Sequence, residues 1–201
     1  MKRLLVALVL ATSLLAFGCT KGDLNTTWQG QVDESFTAKV VSDIAKAERE
    51  HLKKLIVDLN SPGGGVLDVI DITRMMHAAE DRGLIIEVHA HGICASGCTF
   101  ILGAGSKGYR YVTRQTLVLI HPIQTRDFFG PPTCLDFDMA KVGKDTVDGK
   151  AVSLLLSWMR EEYMRDTGRG KAETTKWLMC GKEQVGDGSL FIKLGLADKV
   201  E

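Results

Sequence analysis

Apolar positions recur along the chain with two spacings, and the switches between them lay out its elements. Phe36, Val40, Ile44 and Ala47 fall three or four residues apart behind Asp33, the pattern of one helix face with an aspartate cap. Leu55-Ile56-Val57-Asp58-Leu59 is a short β-rich run, stopped by Asn60-Ser61-Pro62-Gly63-Gly64-Gly65. Val66, Val69, Ile70, Thr73 and Met76 return to helical spacing, and Leu84 to Val88 reads as a second strand. A turn and a helix from about Ser96 to Ala104 follow, then short strands at Tyr109 to Val112 and Leu117 to Ile120, the latter ending at His121. Pro122 to Gly149 has no period and reads as an irregular, exposed excursion. Helical spacing resumes from Val152 to Arg165, Asp187 caps a short helix through Lys193, and a last strand lies near Ala197 to Val200. Helices alternating with strands predict an α/β domain with a largely parallel sheet and flanking helices.

The first eighteen residues do not fit that alternation. Lys2 and Arg3 precede an apolar segment from Leu4 to Leu15, which ends in Ala16-Phe17-Gly18-Cys19. This is the layout of an export signal over residues 1–18, too short to span a bilayer comfortably. Cys19, directly behind it, resembles the acylated cysteine of bacterial lipoproteins, and Thr20 in place of aspartate resembles those sent to the outer membrane. The expectation is an exported protein held at a periplasm-facing membrane by lipid on Cys19. Residues 19–29 would serve as a polar tether and residues 30–201 as the domain.

Composition narrows the class further. Of 201 residues, 45% are hydrophobic and 25% charged, which suits a folded domain and excludes a disordered chain. Losing Lys2 and Arg3 with the signal leaves 23 basic against 25 acidic residues, a formal charge of −2, and no basic cluster for nucleic acid. Export would place Cys94, Cys98, Cys134 and Cys180 in an oxidising compartment, where disulfides are expected. Cys134 with Cys180 is the favoured pair. Cys94 and Cys98 read equally as a small ring around Ser96 or as buried thiols. Their spacing lacks the Cys-x-x-Cys form of a zinc site, and no metal or cofactor is expected.

Two glycine-rich turns and one histidine stand at the ends of successive strands, where α/β folds place their chemistry. Acyl transfer needs a hydroxyl, a base to take its proton, and fixed N–H donors for the oxyanion. Ser96 supplies the hydroxyl, His121 the base, and the amide of Gly97, with that of Gly63 or Gly64, the donors. Each residue also has a plainer role. Serine is a good helix cap, a Ser-Pro-Gly-Gly turn is common after a strand, and a lone histidine at a strand end is more often structural.

Taken together, Asn60-Ser61-Pro62-Gly63-Gly64, Gly92-Ile93-Cys94-Ala95-Ser96-Gly97 and Leu119-Ile120-His121-Pro122 resemble, in order and separation, the three site motifs of ClpP serine peptidases. Gly30-Gln31-Val32-Asp33 is similar to the start of that family and Gly195-Leu196-Ala197-Asp198 to its end. The resemblance implies a ClpP/crotonase-like fold of repeated β-β-α units. It also implies Ser96 as nucleophile, His121 as general base and the Gly63 and Gly97 amides as oxyanion hole. Counting back from Gly195 puts Glu183 where the family has its acid, with Asp187 as the alternative. Substrates would be peptides or unfolded polypeptides, cleaved without an ATP-driven unfoldase, by a chain that assembles with copies of itself. Two other readings stay open. One is a serine-lysine enzyme like the signal-peptide peptidases, using Lys141, Lys144 or Lys150. The other is a catalytically inactive lipoprotein that binds or scaffolds.

Overall fold

The computed structural model describes residues 22–125, 133–142 and 144–201. The export signal and the candidate lipidation residue Cys19 lie outside the described residues. Among the described residues, no helix is long and apolar enough to cross a membrane.

The chain opens with β1 (Leu24–Gln29), α1 (Glu34–Arg49), β2 (Lys54–Ser61), α2 (Val66–Asp81), β3 (Ile85–Ala95) and α3 (Gly97–Gly103). Next come β4 (Arg110–Val112), β5 (Leu117–Ile120), β6 (Ile123–Thr125), β7 (Thr133–Leu135) and α4 (Phe137–Val142). The remainder is α5 (Val147–Thr167), α6 (Lys171–Trp177), β8 (Gln184–Gly186), α7 (Gly188–Leu194) and β9 (Lys199–Val200). β1, β2, β3, β4 and β9 form a parallel sheet in that order. β3 is long enough to take two neighbours on one side. Val88 to Ala90 pair with β4, Ile93 to Ala95 pair with β5, and Gly92 turns the strand between them with φ +64°. β8 extends this second part, antiparallel to β5. The result is a mixed α/β fold with a mostly parallel sheet, as the alternation of elements predicts.

The helices follow from their apolar faces. Asp33 accepts the Phe36 amide at 3.0 Å and so caps α1, while Phe36, Val40, Ile44 and Ala47 are all buried. Each of the three larger side chains contributes about 1.5–3 kcal/mol on leaving water. Val69, Ile70, Thr73 and Met76 are buried on α2, and Asp187 caps α7 by accepting the Ser189 amide at 2.9 Å.

Three local expectations need correction. Residues 24–29, read as tether, form strand β1, whose Trp28 is buried and donates its indole N–H to Asp43 at 2.9 Å. One buried aromatic and one polar partner hold an edge strand that is otherwise too polar to show a period. The excursion from Pro122 to Gly149 contains β6, β7, α4 and the start of α5, elements of three to six residues before the long helix begins. α6 and β8 were also not apparent in the pattern. Pieces this short carry less than one full hydrophobic period, so tertiary contacts decide them.

Candidate active site

Strand register gathers the candidate residues at one edge of the sheet. β2 pairs with β3 so that Ser61 lies beside Cys94, and β3 pairs with β5 so that Ala95 lies beside Leu119. The three strands therefore deliver the Pro62-Gly63-Gly64 turn, Ser96 and His121 next to one another. Gly64, Ser96, Gly97 and His121 line a single cavity. Val66 and Val69 from α2, Phe100 from α3, and Trp158 and Met159 from α5 form its apolar wall.

Ser96 occupies the turn from strand to helix with φ +53° and ψ −122°. Side chains rarely adopt this region, and holding one there costs about 1–3 kcal/mol. The surroundings enforce it. The Ser96 amide donates to Leu119 O at 2.7 Å, and Ser96 O accepts from the Thr99 amide at 3.0 Å and the Thr99 hydroxyl at 2.7 Å. The Ser96 side chain makes no capping hydrogen bond, so helix capping does not account for a serine here. The disulfide between Cys94 and Cys98 closes around the turn, settling the choice between ring and thiols in favour of the ring. Both cysteines are fully buried, and neither lines the cavity that Ser96 lines.

The glycine turn fits against this elbow because it lacks side chains. A Cβ on Gly63, whose φ is +88°, would lie 2.6 Å from both Ala95 O and the Gly97 amide nitrogen. The Gly63 amide, read from the sequence as an oxyanion donor, points elsewhere. It donates to Ser61 Oγ at 3.0 Å, a local serine turn that occupies the N–H. The next glycine, Gly64, is the one that lines the cavity.

His121 donates its Nδ1–H to the carbonyl of Pro122 at 2.6 Å. A carbonyl only accepts, so Nδ1 carries the proton in this bond. Nothing in the sequence marked the Pro122 carbonyl for this role. Gln184 pairs with Ile120 as the last pair between β8 and β5, and Glu183 and His121 are the next residues beyond it. The Glu183 side chain instead accepts from the Gly181 amide at 3.2 Å and is exposed. The Asp187 carboxylate is taken by the amide and hydroxyl of Ser189, which hold it below the usual carboxylate range. Among the described residues, neither acid bonds His121.

Lys141, Lys144 and Lys150 gather along α4 and α5 at a separate cavity that Ser96 does not line. Lys141 is paired there with Asp138 at 2.8 Å. The second expected disulfide, Cys134 with Cys180, is present and ties β7 to the loop after α6. Beside it, Asp136 is buried and accepts the amides of Asp138, Met139 and Cys180. Burial pushes its carboxyl up, but these donors outweigh burial and hold it below the ordinary value.

α5 clamps the nucleophile helix from the other side. The Tyr163 hydroxyl meets Thr99 Oγ1 at 2.9 Å, and its ring stacks on Phe100 at 4.3 Å between centroids. One side of the cavity's apolar wall is thus held by α5, through residues the sequence did not mark as functional.

A model of the Clp protease family matches residues 24–127, more than half of the chain and the stretch that holds β1 to β6. The chain is 31% identical over 94 residues to the ATP-dependent Clp protease proteolytic subunit of Leuconostoc citreum, covering 46% of each protein. It is 33% identical over 93 residues to proteolytic subunit 1 of Prochlorococcus marinus, covering 45% of each. The matched stretch spans about half the length of these curated relatives. The chain belongs to the Clp protease family.

Proposed function

We propose that the protein is a serine-type peptidase or acyl hydrolase acting on peptides or unfolded polypeptide. The observation that carries this reading is Ser96 itself: a strained, uncapped serine lining one cavity with His121 and two glycines. The hydroxyl attacks a carbonyl carbon while His121 Nε2 takes its proton. The Pro122 carbonyl orients the ring, the part that a carboxylate plays in a triad. The amides of Gly64 and Gly97 receive the oxyanion, a contribution of about 10²–10³ in rate per donor. His121 then protonates the leaving amine, and water releases the acyl group by the same steps in reverse. Apolar side chains around the cavity suit an uncharged substrate side chain.

The chain is exported and lipid-anchored through Cys19, a reading supported by the order of residues 2 to 19 and by two disulfides that need an oxidising compartment. Such a compartment supplies no ATP, so the enzyme works without an unfoldase. Self-assembly is supported by the curated relatives, each of which is named a proteolytic subunit. An inactive binding role is the second reading, favoured by the turn of Glu183 and Asp187 away from His121.

Fluorophosphonate labelling of the purified full chain separates the two. Wild type labels, Ser96→Ala does not, His121→Ala labels at least about 10²-fold more slowly, and Lys150→Ala is unaffected. A folded wild type that does not label ends the hydrolase reading. Cys19→Ser releases the protein from the membrane fraction, and its retention there would refute the anchor.

A further inference from the structure

Away from the cavity, His77 on α2 and Glu162 and Asp166 on α5 meet in the interior. All three are at least nine-tenths buried. His77 Nε2 lies 3.2 Å from Glu162 Oε2, and one potential ligand atom from each residue falls within 4.8 Å of the others. Glu162 and Asp166 stand one turn apart on the same helix face, so both carboxylates reach the same point.

The group is short of partners. His77 Nδ1 and Asp166 Oδ2 are buried with no hydrogen-bond partner among the described residues. Gly103 of α3 closes that side, since a Cβ there would stand 2.6 Å from Asp166 Oδ2. The nearby Arg110 does not neutralise the carboxylates. Its Nε and one terminal nitrogen bind the Asp198 carboxylate, and the other bonds the main-chain carbonyls of Asp166 and Gly103. Two carboxyl groups and an imidazole collected out of water, with no lysine or arginine bonded to either carboxyl among the described residues, are costly, and a divalent ion is a partner that offsets that cost.

We propose that His77, Glu162 and Asp166 bind one divalent transition-metal ion of the zinc class between α2 and α5. Imidazole nitrogen with two carboxylate oxygens is a donor set for zinc, manganese, cobalt or nickel rather than for copper(I). Bond lengths of about 2.0–2.1 Å around a tetrahedral ion put neighbouring ligand atoms roughly 3.3 Å apart, close to the His77 to Glu162 separation. Water completes the coordination. The ion fastens α2, which carries Val66 and Val69, to α5, which carries Trp158 and Met159. It thereby sets the spacing of the two apolar sides of the cavity without touching Ser96. Its role is structural, and its binding does not depend on the chain being a peptidase.

The test uses the full chain, stripped with chelator and titrated with Zn2+ and Co2+. Expected are one ion per chain and a rise in unfolding midpoint of roughly 5–10 °C at a hundredfold excess over Kd. Bound Co2+ should show the visible bands of a four- or five-coordinate nitrogen and oxygen site. Glu162→Gln and Asp166→Asn keep side-chain shape and should weaken binding by about tenfold or more. His89→Ala, which removes a half-buried histidine lying between Glu87 and Glu201, should leave binding unchanged. Failure of wild type to take up either ion overturns the proposal, whatever the variants do. So does binding that survives both carboxylate variants, or that is lost with His89→Ala instead.

Discussion

The two halves of the chain contribute to the candidate site by different means. Residues 24–125 supply its reactive groups through backbone geometry alone: three parallel strand ends, a glycine turn, and a serine held at positive φ. Residues 133–201 complete its apolar wall and tie it from outside. Trp158 and Met159 line the cavity, Tyr163 bonds Thr99, and a disulfide joins β7 to the loop after α6 across a sequence separation of 46. The difference shows where precision is needed. A nucleophile must be placed to a fraction of an ångström, which a sheet register provides, whereas an apolar wall needs only to exclude water.

The two disulfides give the sharpest way to break this comparison, because one lies in each half. Replacing Cys134 and Cys180 by serine opens a long loop and should cost about 4 kcal/mol in urea unfolding. Fluorophosphonate labelling of the chain that remains folded should be nearly unchanged. Replacing Cys94 and Cys98, four residues apart, should cost only about 2 kcal/mol yet slow labelling by about tenfold or more, since the elbow loses its tie. Labelling that falls with Cys134 and Cys180 instead would reverse the assignment of roles.

A smaller effect tests the electrostatics of the second half. The Asp136 carboxyl lies below its ordinary 3.8 in the fold. Its stabilising contribution is therefore present above that value and is lost as pH falls through the lower folded one. Asp136→Asn should cost roughly 1–3 kcal/mol at neutral pH. The gap between variant and wild type should close in acid, as measured by urea midpoints across the pH range. A constant gap would mean that the carboxylate charge does not matter there.

The smallest effect concerns the acid. With the Pro122 carbonyl holding His121, Glu183→Gln should leave the labelling rate within about twofold of wild type. A tenfold fall would show that Glu183 swings across from β8 to His121 during the reaction.

Legibility followed element length and locality. α1 and α2 were visible because each repeats its apolar face for several turns, and Asp33 and Asp187 announced their helices through local capping. β1 and β8 were not, because six polar-rich residues and three residues hold too little pattern to stand out from loop. At the site, Ser96, Gly97 and His121 could be named from three linked motifs. Gly64 rather than Gly63 as the cavity glycine could not, because the choice turns on which amide the Ser61 hydroxyl captures. Trp158 and Met159 were equally hidden, as a helix face reveals that it is buried but not what it covers.

By itself the sequence determined the order of the longer elements, the glycines at the turns, and the three segments that meet at the site. These rest on local periodicity, turn chemistry and motif spacing, which act over a few residues at a time. Tertiary structure alone decided the conformation of Ser96, the ring between Cys94 and Cys98, the carbonyl that orients His121, and the meeting of His77 with Glu162 and Asp166. Each of these depends on where distant segments lie once the sheet and helices have packed, and no short-range preference along the chain specifies that.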